Sequence, residues 1–302
     1  MTPRDIAAAV TEWARHEDNV RVAILTSSRA DPTWAVDELS DYDIELFVRD
    51  LEPFLEGDAW LHTFGEILVK DPYKPELTEV TITSRPDGSR QVEGNAGSMV
   101  IFTDGERIDF GIMLVSALED DLQTHGGYFN DMGYRVLLDK DGWTSGAIAP
   151  TYRQFDTKPP TEEEFLQVVH GFWWDITYVA KCLYRDQVFL GQRMLNTLRH
   201  GPFLSVVSWH LGMLNGWRNN PGALGKNLKE QLAPQLWSEL EVTFAGPDAQ
   251  DNARAMFKMA EIFGRLASDV ADHVGHKYPN EIDRGVTAYL TRIQAMTSRT
   301  KP

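Results

Sequence analysis

Cysteine is almost absent from this chain of 302 residues. Cys182 is the single thiol, which excludes a disulfide framework and favours a reducing compartment. It lies in an apolar helical pattern and reads as a small buried hydrophobe. Long apolar runs are missing as well: none approaches the ~18 residues of a membrane span. The first residues pass from Ala7 and Val10 straight to Glu12 and Arg15, without the basic and apolar regions of a secretory leader. A soluble cytoplasmic protein is expected. The eight histidines lack zinc-type spacing, so His200 and His210 read as structural or exposed. Basic charge is scarce in the first half. Residues 1–150 carry 29 acidic against 12 basic side chains, net −17, whereas 151–302 carry 16 against 17, net +1. An acidic first half offers no footprint for a nucleic-acid backbone. It suits a small cationic substrate, although an acidic surface also serves plain solubility.

What is present is enough apolar residue, 42%, for one large core or two moderate ones. Thr2-Pro3 starts a short helix whose apolar face is Ile6, Val10 and Trp13. Strands are expected at Val20 to Leu25, Asp43 to Val48, Glu66 to Val69, Ser98 to Phe102, Arg107 to Val115 and around Val136 to Leu138. A helix is expected from Glu52 to Thr63. Pro86-Asp87-Gly88 reads as a turn and Thr103-Asp104-Gly105-Glu106 as a hairpin loop. Ser116 and Glu119 form a capping-box pattern. The Pro-rich joint at Asp156 to Pro160 sets a boundary, giving domains 1–156 and 157–302. Beyond it Thr161 and Glu164 repeat the capping box. Helices follow at about 162–185, 188–199, 202–217, 234–243, 249–274 and 281–297.

The chemistry concentrates between Ala23 and Val48. A β-rich run breaks into the hydroxyl turn Thr26-Ser27-Ser28-Arg29, and the chain re-enters a strand at Asp41-Tyr42-Asp43. Residues two apart on a strand share a face, so Asp41 and Asp43 project side by side. Paired carboxylates of this kind suit magnesium, a hard cation that completes its shell with water and phosphate oxygens. The hydroxyl turn has backbone N–H groups and two hydroxyls to offer those phosphates. Alone, an Asp-x-Asp pair is more often a solvated strand end. Asp109 is an acid in an otherwise apolar strand, where Ile108, Phe110 and Ile112 share one face and Arg107, Asp109, Gly111 and Met113 the other. It reads equally as a solvent-facing strand residue or as a third carboxylate beside the pair.

A hydroxyl turn after one strand and Asp-x-Asp opening the next is the layout of the nucleotidyltransferase superfamily, although Ser27-Ser28 stands where that superfamily usually has Gly-Ser. Over nearly its whole length the chain resembles the aminoglycoside 6-adenylyltransferases, the group that includes streptomycin adenylyltransferases. LTSSRADP resembles the family's LNGSRxxP, and SDYDIELFV its QDYDIxxFV. RIDFGI, VLLDKDG, FWWDITYVAKCLYR, GKNLKEQL and HKYPNEID match in kind and order. The resemblance implies an α/β N-terminal nucleotidyltransferase domain with a mixed β-sheet, plus an all-α C-terminal helical domain that completes the substrate cleft. It implies transfer of AMP from ATP to an aminoglycoside hydroxyl, with Mg2+ held by Asp41, Asp43 and Asp109. Asp109 is then ligand, general base or both. Ser27, Ser28 and Arg29 match the phosphate-binding turn.

The helical half is then expected to add cations for the triphosphate: Lys181 first, with Lys226 and Lys229 behind it. Asp175, Asp186 and Trp173 are candidates to meet a cationic acceptor, while Phe172-Trp173-Trp174 also reads as core. Two other readings stay open at this stage. One keeps the chemistry with a different acceptor, and the other is a nucleotide-binding regulator without turnover.

Overall fold

The computed structural model describes residues 5–55, 57–71, 79–84, 90–118, 133–153 and 155–300. Ile6, Val10 and Ala14, spaced four apart, are fully buried, and this stripe lays helix α1 (Ile6–His16) against the sheet. Asp5 caps it, its carboxylate accepting from the Ala8 N–H at 3.0 Å. The expected start at Thr2 and Pro3 lies outside the described residues, as do the Pro86-Asp87-Gly88 turn and Glu119 of the capping-box pattern.

The chain divides into two compact units, Met1–Gln154 and Phe155–Pro302. The first is built on a mixed sheet of seven strands among the described residues. These are β1 (Val20–Thr26), β2 (Tyr42–Val48), β3 (Ile67–Lys70), β4 (Glu79–Ser84), β5 (Arg90–Phe102), β6 (Arg107–Leu114) and β7 (Tyr134–Asp139). Their order is β3-β5-β6-β2-β1-β7, with β4 on β5. Neighbours run antiparallel except β2 and β6, which are parallel. The expected hairpin closes between β5 and β6, where Phe102 N–H donates to Glu106 O at 2.9 Å and Gly105 takes φ +93.

Two expectations fail here. The helix from Glu52 to Thr63 shrinks to α2 (Glu52–Leu55) and a single 3-10 turn at Leu61–Phe64. Gly57, at φ +149, breaks the path between them. Packing sets the rest: Trp60 and Phe64 turn onto Phe110, with ring centroids at 4.8 and 5.4 Å. The second miss is β4 with the first half of β5, whose polar residues and two glycines hide a 13-residue strand.

Period-two alternation sorts the sheet into two faces. Ala23, Leu25, Ile44, Leu46, Phe110 and Ile112 join α1 and the aromatic cluster in the larger core. Val22, Ile24, Phe47 and Met113 form a smaller cluster on the other face with Leu118.

The second unit is helical: α3 (Glu162–Tyr184), α4 (Val188–Leu198), α5 (Leu204–Leu214), α6 (Leu228–Gln231), α7 (Pro234–Glu241), α8 (Ala249–Val274) and α9 (Asn280–Thr300). Both arms of the Thr161–Glu164 capping box form. Between α4 and α5 a wide turn at Arg199–Phe203 holds Gly201 off helical angles next to Pro202, which explains the expected break. Phe172 stacks on Phe263 at 3.6 Å between centroids, and Cys182 is buried. No helix among the described residues is long and apolar enough to cross a membrane.

Because Phe110 backs the strand that carries Asp109, Phe110→Ala should cost about 3–5 kcal/mol in chemical denaturation. A loss below about 1 kcal/mol would contradict this packing.

Candidate active site

On the smaller-core face of the first unit, strand register builds three rows. Val22, Phe47 and Met113 form an apolar row, followed by Ile24, Glu45 and Gly111. At the strand ends stand Thr26, Asp43 and Asp109. Parallel pairing sets Asp43 directly opposite Asp109, and Asp41 stands two residues before Asp43 at the mouth of β2. The three aspartates therefore share one edge of the sheet. Burial first, then repulsion from Asp109 and Asp41, raises the Asp43 pKa, while a hydrogen bond from the Ser27 hydroxyl and the charge of Arg107 oppose the rise.

The turn after β1 is a 3-10 turn, Ser27–Arg29. Ser27 takes φ +61, the left-handed region that favours glycine, and a serine there costs about 1–2 kcal/mol of strain. Its carbonyl accepts from Ala30 N–H at 3.0 Å, and its hydroxyl is directed to Asp43. Ser28 is half-buried beside it. Arg29 is turned to another task. Its guanidinium donates to Ser40 O at 2.7 Å and Asp41 O at 3.1 Å, and stacks 3.8 Å from the Tyr42 ring centroid. Arg29 thus pins the loop that delivers Asp41.

Two residues of this site escaped the sequence reading. Arg107, two before Asp109 on the same face, grips Asp109 with a two-pronged pair, Nε to Oδ1 at 2.9 Å and Nη2 to Oδ2 at 2.8 Å. Its Nη1 lies 3.4 Å from Asp41 Oδ2. Glu45 continues the Asp41, Asp43 face inward, and its carboxylate lies over Gly111, where any Cβ would collide with it. It has no hydrogen-bond partner among the described residues, and burial with repulsion from Asp43 pushes it up to about 7. Both were readable from strand period: R-x-D and D-x-D-x-E each place alternate residues on one face.

Carboxylate oxygens on one sheet edge are the hard donor set that magnesium takes. Burial is the main cause of the raised Asp43 pKa, and the repulsion from Asp109 and Asp41 that adds to it is what a cation would relieve. Among the described residues no three acid, histidine or cysteine side chains converge on one point, since Asp109 and Asp41 are turned to Arg107. The donors fit the ion in kind.

The candidates in the helical unit do not gather in one place. Lys181 lines a cavity of about 660 Å³ between α3 and α9, with His170, Trp174, Tyr178 and Tyr289. Lys229 lies over the Trp237 ring, and Lys226 follows the turn before α6, both outside that cavity's lining. Trp173 also lines the cavity but is 1% exposed and donates to Tyr278 OH at 3.1 Å; the exposed indole is Trp174, at 79%. Asp186 closes the α3–α4 turn at φ +59. Asp175 is half-buried on α3, outside the lining of the cavity.

Glu45 carries a pH consequence. Its folded pKa lies above the ordinary 4.5, so the folded chain holds this proton longer than the unfolded chain. Stability of the metal-free protein therefore falls as pH rises from about 4.5 through about 7. Glu45→Gln removes that dependence: near parity at pH 5, and a gain of about 2–3 kcal/mol by pH 8, read by denaturant unfolding. A variant less stable than wild type at pH 8 would contradict the burial of an unpartnered acid.

Residues 2–293 match the streptomycin adenylyltransferase family. The chain is 30% identical to an aminoglycoside 6-adenylyltransferase of Bacillus subtilis (strain 168), covering 93% of this chain and 94% of that protein. It is 27% identical to an aminoglycoside 6-adenylyltransferase of Staphylococcus aureus, covering 92% and 94%. A crystal structure of an aminoglycoside 6-adenyltransferase from Bacillus subtilis aligns at 25% identity and TM-score 0.46, covering 97% of this chain and 99% of that one. With a mixed sheet that carries aspartates on one edge, and a match along almost its full length, the chain belongs to the streptomycin adenylyltransferase family and is a nucleotidyltransferase.

Proposed function

We propose that this enzyme transfers AMP from ATP to a hydroxyl of an aminoglycoside, with the 6-position of streptomycin the leading acceptor, and releases pyrophosphate. The observation that carries the reading is the pairing of Asp43 with Asp109 at a strand end, with Asp41 beside them and a hydroxyl turn on the adjoining strand. Asp41, Asp43 and Asp109 would hold Mg2+, which when bound neutralises the triphosphate and polarises the phosphorus under attack. Ser28 and the backbone of its turn are offered to phosphate oxygens. Ser27, at φ +61 on the same turn, is offered to them as well. A sugar hydroxyl is a weak nucleophile at neutral pH and must lose its proton, and Asp109 is the acid placed to receive it. The net charge of −17 over residues 1–150 favours approach of a polycationic acceptor. In the helical unit Lys181, among aromatic side chains, is the lysine proposed for phosphate, ahead of Lys226 and Lys229. A cytoplasmic place of action, where ATP is plentiful, completes the reading.

The test is turnover of the full chain with ATP and Mg2+ against a panel of aminoglycosides led by streptomycin. Pyrophosphate release and the mass of the modified acceptor are measured. Asp43→Asn should fold normally and lose at least about 10²–10³-fold in rate. Near-normal turnover in that variant would remove the metal assignment. Failure of every aminoglycoside while ATP still binds would remove the acceptor.

A further inference from the structure

Three carboxylates on one sheet edge, with Glu45 behind them, make an arrangement that repels itself in the absence of a cation. One cation of the chain's own is there. Arg107 leaves β6 on the Asp109 face and closes its planar fork on both oxygens of Asp109, at 2.9 and 2.8 Å, while its remaining nitrogen stands 3.4 Å from Asp41. A guanidinium matches a carboxylate in this two-pronged way better than any other side chain. Both oxygens of Asp109 are thereby committed, and Asp41 is drawn toward the same group. Asp43 stands directly opposite Asp109 on the neighbouring strand.

We propose that Arg107 is a resident counter-cation that keeps the place of the divalent ion in the metal-free enzyme, and that metal binding displaces its guanidinium from Asp109 and Asp41. It is a positioning residue: it holds two of the acids at the sheet edge without itself closing the coordination shell. This inference rests on the metal reading of Asp41, Asp43 and Asp109. Exposure makes the exchange feasible. The Arg107 side chain is 37% exposed and that of Asp41 39%, so the fork can swing to solvent without stranding a buried charge. Asp109, 17% exposed, is the deeper partner and stays on the strand. A guanidinium stays cationic at any working pH. The same charge is released where a nucleotide would bring its phosphates, so the displaced fork has a ready anionic partner.

The experiment uses the full chain, with Mn2+ and Mg2+ as probes and no acceptor. Calorimetric titration gives ion affinity for wild type, Arg107→Gln and Arg107→Lys. Nε–H resonances of 15N-arginine, with the Arg107 signal assigned by its loss in Arg107→Lys, follow the side chain directly. Arg107→Gln should bind the ion about fivefold to tenfold more tightly, because no ion pair must open first. Arg107→Lys, which keeps the charge and loses the fork, should fall between that variant and wild type. The wild-type Arg107 resonance should shift as the ion saturates. An Arg107 signal that stays fixed while wild type saturates, or variants with unchanged or weaker affinity, would overturn the displacement and leave the metal reading standing. If none of the three proteins binds either ion, both fall together. Should Arg107→Gln fail to fold, Arg107→Lys and the wild-type resonance still decide the matter.

Discussion

The parallel pairing of β2 with β6 is the constraint on which the rest of the first unit depends. It is the one parallel contact among the described strands, and it fixes Asp43 opposite Asp109 with no freedom to slide. A slip of β2 by one residue would turn Ile44 out of the larger core and Asp43 into it, so burial of the apolar face and alignment of the acids are the same fact. The aromatic cluster of Trp13, Trp60, Phe64 and Phe110 reinforces that register from behind.

Bringing the acids together is unfavourable, and the structure shows how the local chain offsets it. Arg107 neutralises Asp109 and Asp41 from within their own face. The nearby Ser27 hydroxyl opposes the rise in the Asp43 pKa, and Ser27 holds a left-handed backbone that a glycine would adopt without strain. Arg29 ties the loop before β2 to its own turn through three carbonyls, so Asp41 is delivered by backbone hydrogen bonds and not by chance. Glu45 has no such relief among the described residues, and burial with repulsion from Asp43 raises its pKa.

Most of the fold was legible because it rests on periodicity. Alternation in RIDFGI gave β6, and i, i+4 spacing gave α1 and the long helices α3 and α8. What stayed hidden was decided by packing or by special backbone. The polar, glycine-bearing first half of β5 gives EVTITS no evident partner strand, and Trp60 leaves the helical path to reach Phe110. The site was legible to a lesser degree. The Asp-x-Asp pair and Asp109 could be read from residue type and face, but the side chains that answer them could not. The backbone carbonyls that Arg29 holds could not be read from the sequence. Trp173 and Trp174 are indistinguishable in sequence, yet one hydrogen-bonds to Tyr278 in the core and the other faces solvent. Arg107 lay within the reach of the strand-period rule, and passed as an ordinary polar strand residue.

The central claim is that the edge formed by Asp41, Asp43 and Asp109 holds a divalent ion against a nucleotide. The most direct measurement is crystallographic: crystals of the full chain grown with Mn2+ and a non-transferable ATP analogue, with anomalous data collected at the manganese edge. The expected result is an anomalous peak at coordination distance from Asp43 and at least one of the other two aspartates, touching a phosphate oxygen. A nucleotide bound with no manganese at that edge, or manganese bound elsewhere with Asp43 uncoordinated, would contradict it.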